Sequence, residues 1–321
     1  MKVSREKLAR EAQATGFRPE VLEKVIHLLN LLEGFNRHPF LKERLALKGG
    51  TALNLFLFDV PRLSVDIDLN YIGAADYETM TRERPQVEEA VRAVCLRADM
   101  QITRVPSDHA GGKWRLRYAS AEGASGNLEV DLNFMFRTPL WPVSRRDAQV
   151  GSSSARQVVV LDLHELAAGK LAALLARQAS RDLFDAHQLF QRCDLDRTKL
   201  RLGFVAYGAM NRKDWRTVKA EDVGYDPCEL ENQLTPVVRG DYLGANKPSD
   251  WVRQMIDDCR RGLEAVLPLT VEEMSFLDQL LEYGRIEPER LTSDPEMMAR
   301  IRSHPLLAWK AQNVRKHKGI E

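Results

Sequence analysis

Two carboxylates stand one residue apart in the segment 62–69, which reads RLSVDIDL. Because successive side chains of a β-strand point to opposite faces, Asp66 and Asp68 share one face with Ser64, and the aliphatic residues between them share the other. Two acids this close repel each other, and a divalent cation or a helix N-terminus neutralises such a pair. Carboxylate oxygens are hard ligands, so the spacing predicts a magnesium site.

A second segment repeats this alternation. In the run 127–133, NLEVDLN, three aliphatic side chains face one way, and the side chains of Glu129, Asp131 and Asn133 face the other. If the two strands are neighbours, Asp131 stands beside Asp66 and Asp68, and the three carboxylates form a patch able to hold two magnesium ions. A polar outer face of the sheet explains the same pattern equally well, because the residues flanking Asp131 are also polar.

A double glycine precedes the acidic strand, in the order strand, Gly49-Gly50, helix. Glycine lets a phosphate approach the backbone closely, and the N–H groups and dipole at a helix N-terminus attract negative charge. Gly-Gly turns before helices are common, so the pair alone is a weak signal. Joined to the acidic strand, it predicts a site for phosphate and metal.

A lysine interrupts an apolar helical stripe. On a helical wheel, Lys170 lies among the leucines and alanine that form the stripe over residues 163–174. A buried charge requires a partner. One explanation is snorkelling at a domain boundary, with Arg181 and Asp185 forming an ion pair four residues apart. The other is a lysine that meets a triphosphate beside a cleft carrying carboxylates and metal.

The composition is that of a soluble globular protein: 321 residues, of which 44% are hydrophobic and 29% charged, with no run long enough to span a bilayer. The opening MKVSREKLARE lacks the apolar core of a secretory signal, so we expect a cytoplasmic protein without membrane contact. Four widely spaced cysteines imply neither disulfides nor structural zinc. The net charge of +1 gives no general attraction to nucleic acid, and the basic run 113–117 is either a solvated face or a ligand surface.

Periodicity predicts an α+β protein with two domains, one over residues 1–160 and a mainly helical one over residues 161–321 that completes the cleft. Strands are expected around the two acids of segment 62–69 and at residues 45–47, 101–105, 114–118, 127–136 and 158–161, with a small-residue linker at 150–154. Helices are expected at residues 19–35, with Gly34 as the stop, and at 86–98, 163–192, 197–211, 227–235, 248–266, 270–282 and 294–312.

Together these features resemble the nucleotidyltransferase superfamily that includes DNA polymerase beta, and within it the AbiEii/AbiGii-type toxin nucleotidyltransferases. The resemblance covers about residues 40–190 and rests on LKGGTALNLF, RLSVDIDL, the Asp131 strand and HELAAGKLAALLARQASRDLFD. The spacing from Gly50 to Asp66 is longer than in the compact superfamily pattern and fits this family. The resemblance implies a polymerase-beta-like core, a mixed sheet with flanking helices, followed by a helical domain.

The family consists of toxins of two-gene toxin–antitoxin or phage-defence modules that transfer a nucleotide from a nucleoside triphosphate (NTP). In some members the acceptor is the end of tRNA. The resemblance therefore implies a magnesium-dependent nucleotidyltransferase that uses NTP, releases pyrophosphate, modifies RNA such as tRNA and has a cognate antitoxin.

The resemblance also implies roles for individual residues. Asp66, Asp68 and Asp131 would bind magnesium, and Asp131 would also help to activate the attacking hydroxyl. Lys170 would neutralise charge on the triphosphate. The other implied positions, which bind the phosphates or shape the cleft, are Gly49, Gly50, Thr51, Arg62, Ser64, Arg181 and Asp185.

Two alternatives stay open. The acceptor is a protein or a small molecule in the first, which the modest net charge allows. In the second, the chain is a catalytically idle nucleotide- or RNA-binding module that acts through a partner. The intact set of Asp66, Asp68 and Lys170 argues against the second alternative.

Overall fold

The computed structural model describes residues 3–242 and 248–320, and within them the α+β fold expected from the sequence is confirmed. The strands are β1 (Leu45–Lys48), β2 (Asp66–Tyr71), β3 (Gln101–Arg104), β4 (Gly111–Ala119), β5 (Ser125–Asn133), β6 (Ser144–Val150) and β7 (Ser153–Val160). The helices are α1 (Arg5–Thr15), α2 (Pro19–Arg37), α3 (Gly49–Thr51), α4 (Tyr77–Arg97), α5 (Leu163–Arg177), α6 (Ser180–Arg192), α7 (Arg197–Ala209), α8 (Pro227–Glu229), α9 (Pro248–Leu263), α10 (Val271–Tyr283), α11 (Pro295–Ser303) and α12 (Pro305–Lys318).

These elements form two compact units. Of the described residues, the first unit holds 3–137, 143–161 and 231–242, and the second holds 138–142, 162–230 and 248–320. Each unit is discontinuous in the chain, since segment 138–142 belongs to the second unit and segment 231–242 to the first, whereas the sequence predicted two continuous domains.

All strands of the first unit join one mixed sheet in the order β3-β4-β5-β2-β1-β7-β6. β2 lies in the middle of this sheet, parallel to β5 on one side and antiparallel to β1 on the other. The outer pairs, β3 with β4 and β6 with β7, are antiparallel. The strand that carries the paired acids therefore has a hydrogen-bonded neighbour on each side, which fixes its position.

One face of the β4–β5 region is covered by helices α2 and α4. The ring of Tyr118 on β4 stacks 4.1 Å from the ring of His27 on α2, and the guanidinium of Arg92 on α4 lies 5.8 Å from the centre of the Trp114 ring. The covered residues of β5 are aliphatic and buried. We call this the helix-covered face of the sheet, and the opposite side, with the polar residues of β2, β4 and β5, the open face.

Four expectations about single elements are corrected. The single helix expected over 294–312 is two helices, α11 and α12, because the backbone of His304 between them is extended. Gly34 does not end α2, which continues to Arg37; a Cβ at Gly34 would come within 2.8 Å of Val94 on α4, so this glycine permits close helix packing. Residues 150–154 are not a linker. They form the hairpin turn between β6 and β7 together with the adjoining ends of these two strands, which pair there. The single helix expected over 163–192 is two helices, since Gln178 ends α5 in the left-handed region at φ 52°.

Within the described ranges, no helix is both long enough and apolar enough to cross a bilayer.

Candidate functional site

Asp66 and Asp68 lie at the start of β2, with their side chains on the open face. Both residues are half-buried, whereas Ile67 and Leu69, which alternate with them, are at most 2% exposed and belong to the core. The alternation read from the sequence is therefore the alternation of the strand.

The third acid lies directly beside this pair. β5 runs parallel to β2, in a register that sets Asp131 opposite Asp68 and Glu129 opposite Asp66. Neighbouring strands are about 5 Å apart, so the three aspartates share one small area of the open face. The parallel pairing of β2 with β5 therefore brings the three carboxylates together. From the sequence this followed only if the two strands were neighbours.

Glu129, the fourth acid on this face, is already neutralised. Lys113 on β4 donates to its carboxylate at 2.8 Å and Arg115 donates at 3.2 Å. The hydrogen bond from Lys113, partly opposed by burial, lowers the pKa of Glu129. The hydrogen bond to Glu129 likewise raises the pKa of Lys113, and the charges of Asp66 and Asp131 raise it further.

Lys113 is thus a site residue that the sequence analysis did not assign. It sits opposite Asp131 in the β4–β5 register. The signal was present in the alternation of cations over residues 113–117, which left a ligand surface open. What the sequence did not contain was the register that places this cation beside the acids.

The glycine turn lies against the carboxylate of Asp68. Lys48, the last residue of β1, pairs with Asp68, and the next residue, Gly49, has φ 73°. A Cβ at Gly49 would collide with Oδ2 of Asp68. Only glycine fits this position without strain, because left-handed φ disfavours a side chain and the space is taken by the carboxylate.

Helix α3 begins at this turn and continues as a π-helical segment over Ala52–Leu57. Its N-cap residue is Lys48, whose amine cannot accept a hydrogen bond from the N–H groups of the first turn. Backbone N–H groups at a helix start next to a glycine turn are suited to an anionic ligand.

Thr51 contributes to the site through its position and not through a free hydroxyl. It is 0% exposed, and its Oγ1 donates to the backbone oxygen of Asp66. Asn54 in turn donates to the backbone oxygen of Gly50 at 3.0 Å. The Thr51 bond ties the glycine turn to the acidic strand, and the Asn54 bond holds the turn to the helical segment that follows it.

Arg62 is buried, although the resemblance implied a phosphate ligand at this position. It is 3% exposed and donates to the backbone oxygen of Leu63 at 3.0 Å. The same stretch pairs with the distant segment 237–239, since the N–H of Leu63 donates to the oxygen of Val237 at 2.8 Å. Arg62 therefore braces the chain that leads into β2. Ser64, nearer the acids, is 8% exposed.

The carboxylates of the first unit suit a metal ion that is bound jointly by protein and substrate phosphates. Within the described residues, no group of three or more His, Cys, Asp or Glu is arranged as a preformed metal site. Magnesium is commonly held by one or two carboxylates together with substrate phosphates, and not by an all-protein cage. Asp66 and Asp68 beside the Gly49 turn match that requirement, and Asp131 adds a third negative charge at the same place.

A separate charged cluster lies in the second unit around Lys170. The Lys170 side chain is only 9% exposed, and its Nζ lies 2.7 Å from Oδ1 of Asp182 and 2.9 Å from Oδ2 of Asp185. Burial by itself would raise the pKa of Asp182, but Lys170 and Arg177 hold it well below its ordinary value. The lysine predicted from the helical wheel is thus buried and held by two carboxylates.

Arg181 and Asp185 take partners other than each other. Arg181 pairs with Glu229 at 3.0 Å, and Glu229 also accepts the N–H of Ser180 at 2.7 Å. Asp185 is 0% exposed and pairs with Lys170. The predicted site residues therefore lie in two groups, one in each unit. Gly49, Asp66, Asp68 and Asp131 lie together in the first unit, and Lys170 and Asp185 in the second.

Comparison with known proteins gives a family and a fold. Residues 30–265 match the family described as "Nucleotidyl transferase AbiEii toxin, Type IV TA system". The structure is similar to that of MenT4, a nucleotidyltransferase toxin from Mycobacterium tuberculosis H37Rv, with a TM-score of 0.56 and 20% sequence identity over 96% of this chain and 99% of that one. No curated protein matches the sequence.

Proposed function

This chain belongs to the AbiEii family of nucleotidyltransferase toxins of type IV toxin–antitoxin systems, and from this premise we propose that it transfers a nucleotide from an NTP to RNA, at the acceptor end of tRNA. Magnesium is the proposed metal and pyrophosphate the proposed second product. The observation that carries the proposal is the register that sets Asp131 opposite Asp68 on the open face. A cognate antitoxin is the proposed partner that restrains the activity.

The phosphates of the NTP are assigned to the start of α3. Gly49 and Gly50 leave the backbone open to a bulky anion, and the N–H groups of the first turn point away from the helix body. Thr51 holds this turn to β2 through its bond to Asp66. Ser64, just before the acids in the chain, is the remaining side chain assigned to the phosphates.

The acids of the open face divide two tasks. Asp66 and Asp68 would hold magnesium, which when bound supplies neutralisation of the triphosphate charge. The carboxylate of Asp131 accepts the proton of the attacking hydroxyl. The acceptor oxygen then forms a bond to the α-phosphorus, the bond from that phosphorus to the β-phosphate oxygen breaks, and pyrophosphate leaves. Positioning and charge neutralisation supply most of the rate enhancement in phosphoryl transfer.

We assign further substrate contacts to residues of the second unit, on the basis of the sequence motif that contains them. Lys170 is the proposed cation for the triphosphate, and Asp185, 2.9 Å from its Nζ, is the proposed positioning residue. Arg181, whose guanidinium pairs with Glu229, is the proposed second-unit residue that contacts substrate. These roles are independent of the assignment of the three aspartates.

The proposal is tested by following the transfer of labelled nucleotide from NTP to an acceptor. The purified chain is incubated with magnesium, each of the four α-labelled NTPs in turn and total tRNA, and the products are separated as RNA, protein and small molecules. We expect label in RNA with one or more nucleotides, together with released pyrophosphate. Label in protein or in small molecules would replace RNA as the acceptor, and no transfer with any of the four nucleotides would contradict the proposal.

A further inference from the structure

A row of cations runs along β4 on the open face. Lys113, Arg115 and Arg117 occupy alternate positions and are exposed, with the side chains of the first two 53% and 57% accessible. The residues between them, such as Trp114 and Leu116, are at most 1% exposed and face the helices. Side chains two residues apart on a strand lie about 7 Å from each other on one face.

The strand registers extend this row in two directions. Arg104 on the edge strand β3 pairs with Arg115, which adds a fourth cation beside the row. At the other end, Lys113 pairs with Asp131. We call Arg104, Lys113, Arg115 and Arg117 the basic face. It begins at the acids of the proposed catalytic site and leads away from them across β4 and β3.

The charges of the basic face are mostly unbalanced. Lys113 and Arg115 share one carboxylate, that of Glu129. In the described part of the chain, the side chains of Arg104 and Arg117 have no hydrogen bond, ion pair or ring contact, and both residues are exposed. Four cations thus face one acid, apart from the aspartates assigned to the metal.

Protection of a sheet edge does not account for this surface. Charged side chains on an edge strand prevent pairing with another chain, which would explain Arg104 on β3. Arg115 and Arg117, however, lie where β4 pairs with β3 on one side and with β5 on the other. Their charges protect no free edge, so a ligand is the better explanation.

We propose that the basic face binds the phosphodiester backbone of the acceptor RNA and leads its terminal hydroxyl to Asp131. This inference rests on the proposed function and names the surface that holds the acceptor. The aromatic residues of β4, Trp114 and Tyr118, are buried on the helix-covered face. The basic face therefore contacts phosphates and stacks no bases with those rings, and its binding is tolerant of sequence.

The test variant removes the two cations without side-chain partners and leaves the catalytic assignment intact. Arg104→Gln/Arg117→Gln changes neither Glu129 nor the aspartates. The control for loss of a positive charge elsewhere on the sheet is Arg146→Gln, at an exposed arginine of β6 on the opposite edge. Two readouts use total tRNA as the probe: binding without NTP as a function of salt concentration, and steady-state transfer with varied tRNA and varied NTP.

We expect the double variant to bind tRNA about tenfold more weakly and to show a shallower dependence of log affinity on log salt, by about 0.7 for each phosphate that the protein no longer neutralises. Its KM for tRNA rises by a similar factor while its KM for NTP stays at the wild-type value, and Arg146→Gln behaves as wild type.

Equal binding and equal salt dependence in both variants would overturn the inference, whether or not transfer is observed. Failure of wild-type protein to bind tRNA would overturn it as well. If wild type transfers nucleotide to tRNA and the double variant matches Arg146→Gln, the proposed function survives and the basic face is not the acceptor surface.

Discussion

Gly49 carries two constraints at once, a left-handed backbone and contact with the Asp68 carboxylate. Gly49→Ala is expected to cost roughly 1–2 kcal/mol for the backbone alone, and the added methyl group must also displace Asp68. Because a misplacement of about 1 Å can reduce a rate about 100-fold, we expect transfer to fall by at least that factor. Urea unfolding and transfer rates measure the two effects.

Gly123 provides the matched control for that variant. It has φ 88°, and a Cβ placed there meets no atom within 4 Å. Gly123→Ala should therefore show the backbone cost without loss of transfer. Equal transfer rates for the two variants would contradict the assignment of Gly49 to the site.

Glu165 is a buried acid whose titration is set by its surroundings. Burial raises its pKa to about 7, although Tyr207 and the N–H of Leu140 donate to its carboxylate at 2.9 Å and 3.0 Å. The folded state holds this proton more tightly than the unfolded state. The associated stability is therefore fully present below the unfolded pKa of about 4.5 and is lost as pH rises through about 7.

Glu165→Gln removes this pH dependence. The free energy of unfolding of the variant, relative to wild type, should rise between pH 5 and pH 8, as measured by urea denaturation at each pH. His27 and His187, whose pKa values are lowered by burial, give the opposite slope, but they are present in both proteins and cancel in the difference. A constant difference across this range would contradict the raised pKa.

At the residue scale, the sequence was most informative where polar and aliphatic side chains alternate with the two-residue period of a strand. Asp66, Asp68 and Asp131 could be identified because polar and aliphatic residues alternate around them. The burial of Arg62 could not be predicted, since its stretch pairs with residues 237–239, far away in the chain. The partners of Lys170 were equally hidden, because a helical wheel shows that a charge is buried and not which acid meets it.

At the scale of elements, the helix pair α5 and α6 is joined by the buried ions around Lys170. Removing one partner of a buried ion pair leaves an uncompensated charge and costs roughly 3–5 kcal/mol. Lys170→Ala is therefore expected to destabilise the protein by that order, because Asp182 and Asp185 lose their shared cation.

The double variant Lys170→Ala/Asp185→Asn should recover part of this loss, since it removes the negative charge of Asp185, whereas Asp182 keeps its ion pair with Arg177. Urea unfolding of wild type, both single variants and the double variant gives the coupling energy. Additive effects would contradict a direct interaction between Lys170 and Asp185.

The sequence did not predict strand β6 or the break between helices α5 and α6. β6 reads SRRDAQV, in which only Ala148 and Val150 are buried, so no apolar alternation marks it as a strand. The end of α5 at Gln178 was missed because the helical spacing continues across the turn into α6. In both cases tertiary contacts, and not local propensity, decide the structure.

For the whole molecule, the α+β architecture followed from the order of the predicted elements, and the AbiEii family membership agrees with it. The assignment of segments 138–142 and 231–242 to the two units did not follow from the sequence, because it depends on tertiary contacts between residues far apart in the chain. The register between β2 and β5 is the global feature on which the proposed chemistry depends.

The most direct measurement of that chemistry is the single-turnover rate of nucleotide transfer to total tRNA by wild type, Asp68→Asn and Glu122→Gln. Glu122 is an exposed acid in the β4–β5 turn and serves as the control for loss of one negative charge. The proposed site predicts a loss of at least about 100-fold for Asp68→Asn, with unchanged urea unfolding, and a wild-type rate for Glu122→Gln. A rate for Asp68→Asn within a few-fold of wild type would contradict the assignment of the paired aspartates to catalysis.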